Sequence, residues 1–314
     1  MAKAADCKSA IVGSTPTGAF SQWMGFEADL AVVGKEADAM STMIDAMAMT
    51  DPRQAVVAEA FAPGRWHHDI NAAIVECHTD FLLTERQRSR RYPSRLLRYF
   101  IPFHWIGREA VARERPVRVC EIGIAHGLML RYMLHGFEHL EISREDVIDR
   151  WVGVDMELLH EHLDPLPYDE LIEANAETDL DRVDLDCDVC VLLHVLEHLY
   201  EPERMIERLV SRLPSGAVLI AGFPAHPHAV IPYREPHLRA HTNANGHVSA
   251  LSTRRFVEAA RANDCEVVES RSAFFMRASG MFLEDSRTWQ RFNMAWGGTF
   301  PGWLGEAYIA VRKR

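Results

Sequence analysis

The chain has 314 residues, 48% hydrophobic and 25% charged, with a formal net charge of −11. That length suits one large domain or two smaller ones, and the acidic balance argues against wrapping nucleic acid, which needs a basic footprint. No apolar run approaches the ~20 residues of a membrane span, no basic and then apolar leader opens the chain, and the six cysteines are scattered, so a reducing cytoplasm is expected.

Residues 1–22 show no apolar period. Ala5 to Ala10 can be encoded by a self-complementary stem closing on a tyrosine anticodon, and Gly13-Ser14-Thr15-Pro16 by a transfer-RNA T arm. The stretch therefore reads as a translated piece of a transfer-RNA gene, a disordered tail without function, with Met24 or Met40 as candidate starts. Met40, Met43 and Met47 recur at helical spacing, as on a packing face. Residues 23–110 are expected to form a helical cap. Within them, Asn71 to Leu83 has an apolar stripe, and six arginines follow between Arg86 and Arg98. A charge run of this kind is usually a solvated face; the sharper alternative is an anion-presenting cap.

Val117-Arg118-Val119-Cys120-Glu121-Ile122 reads as a buried strand. Gly123 and Gly127 then bracket a tight turn before a helical run from Leu128. Strand, glycine turn and helix form the first unit of a doubly wound α/β domain, with a ligand crevice at the turn. A dinucleotide fingerprint starting at Gly123 would need glycines where Ala125 and Leu128 stand. The carboxylate of Glu121 also suits a cationic ligand better than a pyrophosphate.

Arg150 to Asp155 reads as the second strand, ending in an acid placed to accept both ribose hydroxyls of a nucleoside. Asp155 lies 32 residues beyond Gly123, against ~20 for such units, so an insertion is assigned to residues 136–146. Tyr168 to Ala174 is a weaker third strand leading to Asn175-Ala176. Asp186 to Leu193 is a clear fourth strand, and it contains Cys187-Asp188-Val189-Cys190. In a strand, positions i and i+3 face opposite ways, so no metal or redox role is expected of that pair. His194-Val195-Leu196-Glu197-His198-Leu199, an amphipathic helix, Pro214-Ser215-Gly216 and an apolar strand, Ala217 to Pro224, follow.

Together, the E-x-G-x-x-x-G turn, Asp155 and the H-V-L-E-H-L block resemble the class I S-adenosylmethionine (SAM) dependent methyltransferases, the small-molecule branch above all. The likeness runs well over residues 117–224 and more loosely to the last strand, Glu306 to Arg312. It implies a Rossmann-like α/β fold with a doubly wound seven-stranded sheet, its last strand antiparallel, and residues 111–314 as the methyltransferase domain. It also implies SAM as cofactor, with Glu121, Gly123, Gly127, Asp155, Asn175, Ala176, Leu193 and His194 as binding positions. Asn175 stands where the family more often has aspartate. The N-P-P-Y-like residues of amide and adenine methyltransferases are absent, as is a proline-cysteine nucleophile.

The expected partner is a small-molecule acceptor, with O-methylation favoured, no nucleic acid and no membrane; a homodimer is compatible. N- or C-methylation and a non-catalytic SAM-binding scaffold are the alternatives. Residues 225–252 are expected to be an irregular loop above the carboxyl edge of the sheet, rich in histidine. His247, after Gly246, and His226, after Pro224, are the candidate general bases in that order, since an imidazole takes a proton near neutral pH with little tuning. Hard cations prefer oxygen ligands and this loop offers only Glu235, so no metal is expected. Residues 272–304 form a second insert whose Trp289, Phe292, Trp296, Phe300 and Trp303 either line the acceptor pocket or pack as core.

Overall fold

The computed structural model describes residues 52–77, 96–242, 246–273, 286–302 and 305–314. The expectations for the transfer-RNA-like tail, the methionine face, the arginines before Arg98, and Trp303 fall outside them.

Three helices precede the sheet: α1 (Pro52–Ala60), α2 (Ile70–Cys77) and α3 (Leu97–Arg113). Then come β1 (Val117–Ile122), α4 (Leu128–His139), β2 (Ile148–Asp155), α5 (His160–Leu163), β3 (Glu170–Glu173) and β4 (Val189–Leu193). The remainder is α6 (Pro202–Arg212), β5 (Val218–Ala225), α7 (Ile231–His241), α8 (Thr253–Ala262), β6 (Cys265–Ala273), α9 (Arg287–Thr299) and β7 (Gly305–Lys313). The seven strands lie in the order β3-β2-β1-β4-β5-β7-β6. β1 to β5 are parallel, and β7 runs antiparallel between β5 and β6. The order reverses between β1 and β4, which makes the crevice at their carboxyl ends the ligand position of such a sheet.

Alternation along the strands feeds two cores. On one face, Cys120, Ile122, Val154, Leu192, Phe223 and Ile309 meet Ile206, Leu209 and Val210 of α6 and Phe256 and Ala260 of α8. On the other face α3 packs on β1, β4 and β7 and against α4. The α3 residues Leu97, Phe100, Ile101, Phe103 and Ile106 are fully buried. Local chemistry sets the boundaries. Pro202 opens α6, and Ser252 caps α8 by accepting the Arg255 N–H at 3.0 Å. Glu114 closes α3 in the left-handed region, its N–H turned back to Ala110 and Val111.

Three expectations change. Residues 231–241 form a helix, although the segment was expected to be irregular; none of its residues is buried, so it carries no apolar period to read. Cys187 lies ahead of β4, not in it, and packs in the same core as Cys190 and Cys120 instead of facing away from Cys190. Arg98 is no solvated charge, because its side chain is 12% exposed and ion-paired.

Candidate active site

The turn after β1 holds three positive φ angles, at Gly123 (81°), Ala125 (46°) and Gly127 (66°). A Cβ added at Gly123 would stand 2.3 Å from Val195 Cγ2, and one at Gly127 would stand 2.4 Å from Leu166 Cδ1. Gly123 is thus required by backbone conformation and by close approach to the branched Val195, and Gly127 by its backbone conformation. The Gly123 N–H donates to Val154 O at 2.8 Å, and the Ala125 N–H donates to Asp155 Oδ2 at 2.8 Å. The acid at the end of β2 therefore sits on the glycine turn despite the long spacing. α4 runs through Gly136 to His139, and a single 3-10 turn at Arg144–Asp146 takes up the remaining length.

Glu121 lies on the opposite face of β1 from Ile122 and is 3% exposed. Its Oε2 accepts from Trp151 Nε1 at 3.1 Å and from the Tyr168 hydroxyl at 3.4 Å. Burial pushes its carboxyl up to about 8, and the two hydrogen bonds only partly offset this. Asn175 and Ala176 follow β3 on the same edge, where Ala174 N–H donates to Asp155 O at 2.8 Å. The Asn175 Oδ1 accepts the Glu177 N–H at 2.8 Å, an Asx turn that fixes the loop.

A second group of side chains stands at the carboxyl ends of β4 and β5. Leu193 is the last residue of β4 and is 9% exposed. His194 follows it with φ of 59°, an uncommon conformation for a non-glycine residue and one that clusters at functional sites. Its Nδ1 lies 3.1 Å from Glu197 Oε1, and its Nε2 lies 3.3 Å from Glu306 Oε2. Glu306, near the start of β7, also receives Arg98 Nη2 at 2.7 Å and the Tyr308 hydroxyl at 2.6 Å. Burial pulls the His194 imidazole down, but Glu306 and Glu197 outweigh it and the net shift is upward. A chain of contacts, Arg98–Glu306–His194–Glu197, thus crosses from α3 through β7 to the H-V-L-E-H-L loop.

That loop is clamped to residues 246–249. The N–H groups of Val248 and Ser249 donate to Glu197 O at 2.9 and 3.0 Å, and Ser249 Oγ donates to Leu199 O at 2.6 Å. His198 Nδ1 lies 3.2 Å from Gly246 O, and the His198 and His247 rings meet edge to face with centroids 5.0 Å apart. His226 continues from β5, its N–H donating to Leu251 O at 2.7 Å. Burial, then Arg234 and His247, lower its pKa.

The sequence model of a methyltransferase-domain family matches residues 84–270 of this chain. The chain belongs to the class I SAM-dependent methyltransferases. No curated protein matches the sequence. Similar solved structures include a putative sarcosine dimethylglycine methyltransferase from Galdieria sulphuraria, with 10% identity and a TM-score of 0.47 over 68% of this chain and 85% of that one. Magnesium protoporphyrin IX methyltransferase from Synechocystis PCC 6803, with bound SAH, has 11% identity and a TM-score of 0.45 over 83% of this chain and all (100%) of that one. The Burkholderia thailandensis 1,6-didemethyltoxoflavin-N1-methyltransferase has 13% identity and a TM-score of 0.43 over 80% of this chain and 92% of that one.

The cofactor of this methyltransferase is SAM. The residues fit it: a turn in which an added Cβ would clash, with a carboxylate that still has acceptor capacity beside it. The positions 121, 123, 127, 155, 175 and 176 gather at the ends of β1 to β3, and 193 and 194 at the end of β4. His226 and His247 join the second group. Sequence reasoning missed Glu197, Arg98, Glu306 and Tyr308 as part of the edge. Glu197 was visible inside H-V-L-E-H-L, but nothing local marks Arg98 or Glu306, which lie 208 residues apart. A cleft of about 640 Å³ between α6 and α8, lined by Glu203, Arg204, Glu207 and Arg255, contains none of these groups. Among the described residues, no helix is long and apolar enough to cross a membrane.

Proposed function

We propose that this methyltransferase acts in the cytoplasm on a hydroxyl of a small-molecule acceptor. The observation that carries the reading is the contact between two groups of residues. Val195, inside the H-V-L-E-H-L loop, closes on Gly123 of the cofactor turn. In this reading His194 and His198 of that loop, with His226 and His247 near it, lie at the end of the crevice where the donor methyl would be held.

Asp155 would hold the ribose hydroxyls, the turn at Gly123 and Gly127 the amino-acid end, and Asn175-Ala176 the adenine side. When bound, SAM supplies a methyl group already activated by its sulfonium. The chain's own task is then to hold the acceptor in line at ~3–3.5 Å, worth up to ~7–11 kcal/mol, and to take the hydroxyl proton. His226 is suited to that second task, because its lowered pKa keeps a ring nitrogen free to accept. His247 was expected to come first, but it packs on His198, and this supports His226 as the base.

Calorimetry tests the cofactor half. Asp155→Ala is expected to weaken SAM and S-adenosylhomocysteine at least tenfold, and unchanged affinity would move the ribose to another acid. Following S-adenosylhomocysteine release with a panel of hydroxyl and amine metabolites tests the other half. His226→Ala should lower turnover on a hydroxyl by about 100-fold with SAM affinity intact. A loss under about tenfold, with amine acceptors turned over, would indicate N-methylation. Tight SAM binding without turnover on any acceptor would indicate a scaffold.

A further inference from the structure

Glu197, His198 and His247 each offer one ligand atom, and the three atoms lie within 4.8 Å of one another. Tetrahedral ligands on one cation with bonds of about 2.0–2.2 Å stand ~3.3–3.6 Å apart, so the side chains need to close in by about an ångström, within reach of rotamer adjustment. Its members come from two segments pinned together by the hydrogen bonds of Glu197 O with residues 248 and 249 and of Ser249 with Leu199. The grouping is therefore built into the fold.

Two further features point to a ligand. Glu197 is 2% exposed; its Oε1 is engaged by His194, but its Oε2 is buried with no hydrogen-bond partner among the described residues. A buried carboxylate oxygen left in this way is costly unless something positive reaches it. His198 also has a nitrogen to spare. Its Nδ1–H donates to the Gly246 carbonyl, which fixes the tautomer and leaves Nε2 as the lone-pair nitrogen. Behind Glu197, His194, Glu306 and Arg98 form the kind of outer-shell chain that orients a ligating carboxylate.

We propose that Glu197, His198 and His247 hold a divalent cation at the acceptor end of the crevice. Two imidazoles and one carboxylate select a borderline transition ion, such as Zn²⁺, Mn²⁺, Co²⁺ or Fe²⁺, over Mg²⁺ or Ca²⁺, which want more oxygens. Three protein ligands leave coordination positions open, as in catalytic sites. This rests on the hydroxyl-acceptor reading and deepens it. An acceptor oxygen bound to the cation becomes more acidic, and its proton passes to His226 or to solvent. His247 is then a ligand and not the base. The expectation that no metal binds weighed residues 225–252 alone; the carboxylate and the second imidazole come from the loop after β4.

The test uses untagged full-length protein, stripped with a chelator and titrated with Co²⁺, read by visible absorbance and by calorimetry. One equivalent is expected to bind with a ligand-field band, to be displaced by an equal concentration of Zn²⁺ and not by Mg²⁺. Glu197→Gln, His198→Ala and His247→Ala should each weaken Co²⁺ at least tenfold while SAM affinity holds. His247→Ala removes an exposed side chain and so serves if the buried Glu197 variant fails to fold. Absence of Co²⁺ uptake, or uptake unchanged in His198→Ala/His247→Ala, overturns the site, and displacement by Mg²⁺ overturns the class of ion. Co²⁺ binding with no methyl transfer to any hydroxyl would leave the cation site standing and remove the acceptor reading. Hydroxyl methylation that survives chelation would keep the acceptor reading and remove the cation from its chemistry.

Discussion

Glu121 must be buried for β1 to pass under the crevice, yet it is a carboxyl group. Held near the indole of Trp151 and the phenol of Tyr168, with its pKa pushed up to about 8, it is mostly protonated at neutral pH in the free protein. The sign of the linkage follows. The folded state keeps a proton that the unfolded chain has lost above ~4.3, so stability falls as pH rises from there to about 8. Glu121→Gln, neutral at every pH, should match the parent at pH 4 and exceed it at pH 9 by about 5 kcal/mol, measured by urea unfolding at both values. Equal stability at pH 9 would mean the carboxylate is tolerated charged. A cationic cofactor should also draw out the proton. SAM binding near pH 7 is then expected to release protons, seen as calorimetric heats that vary with the buffer's ionisation enthalpy. The same heats in all buffers would leave Glu121 a purely structural role.

At the scale of elements, one side chain ties three of them. Asp188, just ahead of β4, accepts from the Arg118 N–H of β1 at 2.9 Å. It also pairs with Arg115 at 2.7 Å and with Arg113, the last residue of α3, at 3.2 Å. Burial works against the charge, but Arg115, the Arg118 N–H and Arg113 hold its carboxyl down at about 2. Asp188→Ala strands arginines at this junction and should cost about 2–4 kcal/mol at pH 7. Asp188 contributes stability above its unfolded pKa of ~3.9 and loses it as pH falls through about 2. The gap between parent and variant should therefore close by pH 2, and urea midpoints at the two pH values measure it. A gap of the same size at both would assign the loss to packing. Polar anchoring of the same kind holds α7, where Glu235 takes Arg239 at 2.6 Å, Arg255 at 2.5 Å and the Ala250 N–H at 3.2 Å. Such a helix has no apolar face to announce it.

For the whole molecule, one sheet carries both the glycine turn and the histidine-rich edge, and the described residues that contain it all fall within one compact unit. The stretch that reads as transfer-RNA coding lies wholly ahead of this unit, at residues 1–22. Its deletion is expected to leave the melting temperature and SAM affinity unchanged. A loss of several degrees would show that the stretch contributes to the fold after all.

The strands, the glycine turn and the acid at the end of β2 are legible in the residues alone, and the fold class follows from them. Each of these is a local matter, set by a run of β-branched residues, a left-handed backbone that favours glycine, or a period of two. The sequence also marks the histidines as unusual, without saying which would meet. That β7 enters between β5 and β6, bringing Glu306 and Tyr308 to His194, emerges only when the sheet is assembled. Tertiary structure alone sets Arg98 against Glu306, and His247 against Glu197 and His198. The physical reason is separation along the chain. Charge pairs and ligand sets need only a few side chains at short range, and they leave no period or motif in the segments that supply them. Their positions follow from how the apolar faces of the sheet are covered, and that is settled by the chain as a whole.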